Sequence, residues 1–150
     1  MDLFNAERQA KLLMAAHGLT EKGWRFEWDN AARRFGRCTY GTKTITMSRQ
    51  LTIQRTPEAI RNTMLHEIAH ALTPGSGHGA VWRAKAISIG CDGKRCSDDD
   101  VQVNYKYVAK CPSGHVAGKY LRKPRTITRK SCGKCSRSYN PAYALKLFAL

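Results

Sequence analysis

The sequence predicts an α+β chain in two parts: a helix, a small antiparallel β-meander and two further helices over residues 1–100, then a small β module with a short C-terminal tail over residues 101–150. Three observations predict it. Apolar residues recur at helical spacing in three segments, each closed by a glycine or proline stop. Three short runs rich in aromatic and β-branched residues lie between the first and second of those segments. Cys and His pairs bracket a basic stretch in the last third of the chain.

In residues 3–17, Leu3, Ala6, Ala10, Leu13 and Met14 fall near one helical face, and Gly18 supplies the stop. Residues 24–28, 34–40 and 42–47 follow as three strands of a meander, separated by Asp29-Asn30 and Gly41. In the third, Thr42, Thr44, Thr46 and Ser48 alternate with Lys43, Ile45, Met47 and Arg49, a weak period of two. Thr56-Pro57-Glu58 gives the next helix a capping hydroxyl, a proline at its first position and an acid in its first turn, and Thr73-Pro74-Gly75 ends it. A third helix spans residues 79–89, with Val81, Trp82, Ala86 and Ile89 as core contacts and Gly90 as the stop. Asp98-Asp99-Asp100 forms the linker into the second part.

The charge is unevenly placed. The net charge is +15, from 26 Lys and Arg against 11 Asp and Glu, yet every acidic residue precedes Val101. Residues 101–150 therefore carry 11 uncompensated cations, interleaved with Tyr105, Tyr107, Tyr120, Tyr139 and Tyr143. Cations that displace condensed counterions, and rings on which bases stack, are the footprint of a nucleic-acid surface. No apolar run is long enough to span a membrane, and the first residues lack the layout of a signal peptide, so the expected location is cytoplasmic with no membrane partner. In a reducing compartment six cysteines are metal ligands or buried thiols rather than a disulfide framework.

Residues 66–70 read His-Glu-Ile-Ala-His. On a helix, His66 and His70 stand one turn apart on one face and can share a zinc ion, leaving Glu67 free to act as general base on a zinc-activated water. The stripe of Ile60, Met64, Ile68 and Leu72 is left for the core. A catalytic zinc needs a third protein ligand, and His78 is available beyond the reversal at Thr73-Pro74-Gly75. Thr73 and Ser76 occupy the places where a metzincin would have glycine and histidine, which excludes that class.

A second set, Cys111 and His115 followed by Cys132 and Cys135, has zinc-ribbon spacing. Three thiolates and an imidazole make a closed structural site for a second zinc, with His115 one position later than a regular knuckle would place it. Lys119, Arg122, Lys123, Arg125, Arg129 and Lys130 lie between the pairs, on an expected hairpin that forms a basic nucleic-acid-binding finger. Cys91 and Cys96 read as free thiols, and Cys38 as a small core residue.

His66-Glu67-Ile68-Ala69-His70, then Gly77-His78-Gly79-Ala80-Val81-Trp82, then the basic ribbon from Cys111 to Cys135, resembles the SprT-like (Spartan-related) family of zinc metalloproteases. The resemblance implies a zincin-like domain in which His66, His70 and His78 bind the catalytic zinc and Glu67 is the base. It also implies cleavage of proteins bound or crosslinked to DNA, stimulated by DNA in single-stranded or structured form, that is, DNA–protein crosslink repair. Cys111, Cys132 and Cys135 match the family's ribbon, whereas His115 departs from its usual cysteine pair. The chain's size and simplicity suggest a bacterial or phage member, acting as a monomer. Tyr40, Tyr105 and Tyr107 are candidate donors to the oxyanion. The alternative reading is a non-enzymatic, zinc-stabilised DNA-binding regulator or recruitment factor. Glu67 weighs against it, since a structural site has no use for a costly unpaired carboxylate. A zinc hydrolase acting on nucleic acid is weaker still, because the only carboxylate cluster is the linker at residues 98–100.

Overall fold

The computed structural model describes residues 2–97, 99 and 101–150, so Asp98 and Asp100 of the expected linker lie outside the described residues. The chain forms two compact units, Met1–Gln102 and Val103–Leu150.

In the first unit, helix α1 (Leu3–Ala16) starts where the Asp2 carboxylate accepts the Asn5 N–H at 2.8 Å, and it turns Ala6, Ala10 and Met14 into the core. Gly18, at φ 75°, lets the chain leave in the left-handed conformation a side chain would resist. Strands β1 (Arg25–Asp29), β2 (Gly36–Thr39) and β3 (Thr44–Ser48) follow. The expected meander is corrected here: β3 lies between the other two, parallel to β1 and antiparallel to β2. Burial gives the physical reason. Thr44, Ile45, Met47 and Ser48 are all buried, so β3 is covered on both faces, as only a central strand can be. The threonine–lysine alternation suggested a one-sided strand and concealed this.

A short helix α2 (Arg49–Thr52), which the sequence pattern does not announce, leads to helix α3 (Pro57–Leu72). The Thr56 hydroxyl caps α3 by accepting the Ala59 N–H at 3.2 Å, and at the other end Thr73 Oγ1 donates to the Ala69 carbonyl at 2.7 Å. Helix α3 buries two faces. Ile60, Met64 and Ile68 join α1 and the sheet around Phe26, Ile45 and Met47, while Leu65 and Ala69 pack on Trp82, Ala86 and Cys91. Its third face, with Thr63, His66, Glu67 and His70, borders a cleft. Helix α4 (Ala80–Ser88) is held by Trp82 and Ala86, whereas Val81, expected in the core, is 64% exposed.

The second unit is a three-stranded antiparallel sheet, β4 (Tyr107–Lys110), β5 (Val116–Tyr120) and β6 (Lys146–Ala149), in the order β5-β4-β6. Its core is Ala109, Cys111, Ile127, Cys132 and Leu145. The expected hairpin between the two ligand pairs is corrected: the first pair itself sits in the β4–β5 turn, and a 3-10 turn (Ile127–Arg129) follows β5. Pro124 cannot donate to a ladder, and Ile127 is drawn into the core. The third strand comes from residues expected to form a tail. No described helix is long and apolar enough to cross a membrane.

Candidate metal centres and cleft

Helix α3 places His66 and His70 one turn apart, and the reversal after Thr73 returns His78 to them. The three Nε2 atoms converge, at 3.1 Å (His66–His78), 3.2 Å (His66–His70) and 3.0 Å (His70–His78). A tetrahedral zinc with bonds of about 2.0–2.1 Å has ligand atoms roughly 3.3 Å apart, so this donor set fits such an ion. Neutral imidazoles aiming three lone pairs at one point repel unless a cation sits among them. Burial and mutual repulsion push His66 and His70 down to about 4, and burial with the nearby Arg95 charge lowers His78, so all three are unprotonated at neutral pH, as ligands must be.

The rings rest on Trp82, which is 1% exposed. Its ring centroid is 4.6 Å from that of His66, 4.8 Å from His78 and 5.2 Å from His70, stacked on the last with planes 24° apart. Its indole N–H donates to the His66 carbonyl at 3.4 Å. Trp82 is therefore a floor that fixes imidazole orientation as well as a core residue, a role its apolar spacing alone did not announce.

Glu67 points away from the core into the cleft, whose volume is about 670 Å³. Burial pushes its carboxyl up to about 7, and the neighbouring Arg34 charge only partly opposes this. Strand β2 lies tight against it. A Cβ on Gly36 would meet Glu67 Cγ at 3.0 Å, Thr63 Cγ2 at 3.1 Å and Glu67 Oε1 at 3.2 Å. Cys38, expected in the core, is half-buried: it packs against the core around Ile45, Ile60 and Met64 and also lines the cleft, where burial and the Glu67 charge raise its thiol to about 12 and leave it unreactive. Tyr40 also lines the cleft and donates its hydroxyl to the His70 carbonyl at 2.7 Å, while Tyr105 and Tyr107 belong to the second unit.

Behind the cleft lies a residue that no sequence motif marks. The Arg55 guanidinium, its side chain 1% exposed, donates to Asp99 at 2.5 Å, to Thr63 Oγ1 at 2.6 Å and to Ser97 Oγ at 3.3 Å, and stacks 3.8 Å over the Phe35 ring. Phe35, Thr63 and Ser97 all line the cleft, so one buried cation ties together three of its walls. No local pattern signals a pairing across 44 residues.

In the second unit, Cys111, His115, Cys132 and Cys135 gather in a second group whose donor atoms could hold a metal. His115 Nδ1 is 3.5, 3.6 and 3.3 Å from the sulfurs of Cys111, Cys132 and Cys135, and the Cys111 and Cys135 sulfurs are 3.9 Å apart, too far for a disulfide. Tetrahedral zinc with S and N ligands has edges of roughly 3.6–3.8 Å, so this set also fits. Burial opposes ionisation of Cys111, but N–H groups of His115 and Ser113 and the adjacent thiols draw it down to about 6. Among the basic residues expected to meet nucleic acid, Lys119 stands on β5, Arg129 in the 3-10 turn, and Arg122, Lys123, Arg125 and Lys130 between and after them, all exposed. Lys123 Nζ lies 5.8 Å from the Tyr107 ring centroid. Cys91 is buried and Cys96 exposed, both as free thiols.

The chain is 27% identical over 124 residues to the germ cell nuclear acidic-1 protein of Caenorhabditis elegans, an alignment covering 72% of this chain and 23% of that protein. The chain thus spans about a quarter of that relative's length. No solved structure matches it. The SprT-like family matches residues 6–104, which include α3, all three converging histidines and Glu67, and the chain belongs to that family.

Proposed function

We propose that the chain is a zinc-dependent metalloendopeptidase that acts on proteins bound or crosslinked to DNA. One observation carries the reading: Glu67, 7% exposed and with its carboxyl raised to about 7, borders the same cleft as three convergent, unprotonated imidazoles. His66, His70 and His78 would hold the catalytic zinc in a zincin-like arrangement, and the Cys111–His115–Cys132–Cys135 group a structural one. Bound at the histidines, zinc supplies Lewis acidity toward a peptide carbonyl and lowers the pKa of water toward neutrality. Glu67, buried at the wall of the cleft that the three imidazoles also line, would take the proton from the attacking water and return it to the leaving amine. Gly36 lets β2 press on Glu67 and fix its rotamer. Tyr40 offers a hydroxyl at the cleft wall for the developing oxyanion once it leaves the His70 carbonyl.

Family membership and the acid-free, cation-rich second unit support a nucleic-acid partner that delivers the enzyme to its substrates. The same cation-rich unit would serve a zinc-stabilised DNA-binding regulator equally well, and the buried Glu67 is what favours the peptidase. Cleavage of an unstructured protein is the test, with and without single-stranded DNA, comparing wild type with Glu67→Gln. The expected result is DNA-stimulated cleavage that Glu67→Gln abolishes. Tight DNA binding with no cleavage by the wild type would leave the regulator.

A further inference from the structure

The charged side chains of the cleft are gathered at one end of it. Arg33 and Arg34 enter its lining from the connection between β1 and β2, and Lys94 and Arg95 from the segment after α4, all four exposed. The buried Arg55 guanidinium fixes where those two segments meet. It stacks on Phe35 and donates to Ser97 and to Thr63, which stands one turn before Glu67 on α3, so residues 33–35 and 94–97 converge at that end. Asn62 lines the same end, and since its Oδ1 accepts the Asp92 N–H at 2.9 Å, the side-chain NH2 is the group it offers. From there β2 runs along α3, with Gly36 beside Thr63 and Glu67 and then Tyr40 reaching the His70 carbonyl. The lining beyond His70 is Tyr40, Gly75 and Gly77, without a charge of its own. Both cationic segments reach the centre itself, the Arg34 charge at Glu67 and the Arg95 charge at His78. Among the described lining residues Glu67 is the one acid. Asp92 and Asp99 share a segment with Lys94 and Arg95 but do not line the cleft, and Asp99 is held by Arg55.

We propose that the Thr63 end of the cleft is a subsite for an acidic side chain, Asp or Glu, close to the scissile bond and on one side of it only, with Arg34 and Arg95 as specificity-determining residues. The inference rests on the peptidase reading and deepens it by naming a substrate class. A carboxylate arriving there meets a planar guanidinium from each of two segments, and each can bind it through two N–H groups. Arg34 keeps that capacity although its Nη2 already bonds Asp29 at 2.9 Å, because a guanidinium carries five N–H donors and an exposed pair of this kind is weak. A lysine or arginine in the same place would stand among four like charges, and like-charge juxtaposition rejects wrong partners. A residue bound toward Tyr40 meets a phenol and two glycines and is chosen by size instead of charge. A phosphate of nucleic acid would meet the same cations. This end, however, is closed by Phe35, Thr63 and Ser97, which suits a side chain that stops there and not a strand that must continue.

The full chain, loaded with zinc, is given an unstructured protein, and mass spectrometry maps the cuts. Asp or Glu is expected to be enriched at one position close to the cut. Matched peptides with Glu, Gln or Lys at that position are then expected to differ in kcat/KM, Glu exceeding Gln by about 10-fold and Lys falling below both. The same Glu moved across the cut, at unchanged net charge, is expected to give no gain, which separates a subsite from general attraction to a basic protein. Arg34→Glu combined with Arg95→Glu is expected to put Lys above Glu at unchanged zinc content, an inversion that misfolding does not produce. Cuts without charge preference, cuts beside Lys or Arg, or an acidic preference that survives the double reversal would each overturn the subsite and leave the peptidase reading standing. A wild type that cuts nothing would overturn that reading, and binding then decides the subsite. Zinc-loaded Glu67→Gln is expected to hold the Glu peptide about 10-fold more tightly than the Lys peptide in fluorescence anisotropy, and equal affinities would overturn the subsite. Loss of binding to a labelled oligothymidine strand in the double reversal, with the order of the peptides unchanged, would assign the two arginines to nucleic acid instead.

Discussion

Glu67 is held in a place that costs the fold something, and the cost can be measured. Its carboxyl is raised from an ordinary 4.5 to about 7, so in the metal-free protein the folded state favours the protonated form. Stability from this group is fully present below pH 4.5 and is lost as pH rises through 7. Metal-free Glu67→Gln is therefore expected to exceed wild type at pH 8 by on the order of 3 kcal/mol in urea unfolding, and to match it near pH 4. Equal stabilities at pH 8 would mean that the carboxylate is not desolvated. Gly36 makes the complementary prediction. A methyl group there must displace the Glu67 side chain by a few tenths of an ångström, so Gly36→Ala is expected to lower kcat by about 10-fold or more while leaving zinc content intact. Full kcat in that variant would show that Glu67 has room to spare.

At the scale of elements, helix α3 was legible because each of its signals is local: Thr56, Pro57 and Glu58 mark its start, and the four-residue spacing of His66 and His70 needs no knowledge of the rest of the chain. Strand pairing was not, because alternation along β3 says nothing about its neighbours, and the insertion of β3 between β1 and β2 is settled by burial that only the assembled sheet provides. Strand β6 was missed for the same reason, since Lys146-Leu147-Phe148-Ala149 is too short to declare itself without β4 beside it. The Arg55–Asp99 pair was invisible in sequence yet organises the cleft wall. Asp99→Asn leaves a guanidinium buried without its counter-charge, whereas Arg55→Met leaves a partly solvated carboxylate. The first is accordingly expected to cost about 3 kcal/mol or more and the second less, read from denaturant midpoints. The reverse order would show that the stacking on Phe35, and not the charge, holds the segment.

At the scale of the whole chain, the two units depend on metal differently. The first has a core of its own around Ile60, Met64 and Ile68, whereas two of the five residues in the core of the second are the candidate ligands Cys111 and Cys132. Chelation is therefore expected to abolish amide-exchange protection across β4, β5 and β6 while α1 and α3 stay protected. Simultaneous loss in both units would show that the first depends on metal as much as the second. His115, the irregular ligand, belongs to the same prediction: a cysteine there offers the same donor chemistry, so His115→Cys is expected to keep one metal ion in this unit.

The central claim is that the cleft is a zinc peptidase centre, and zinc stoichiometry measured beside cleavage tests it most directly. Wild type and Glu67→Gln are both expected to hold two zinc ions per chain, with only the wild type cutting an unstructured protein, and His78→Ala is expected to lose one ion and all activity. A Glu67→Gln protein that cuts as well as wild type, or a wild type with two zinc ions that cuts nothing, would contradict the account.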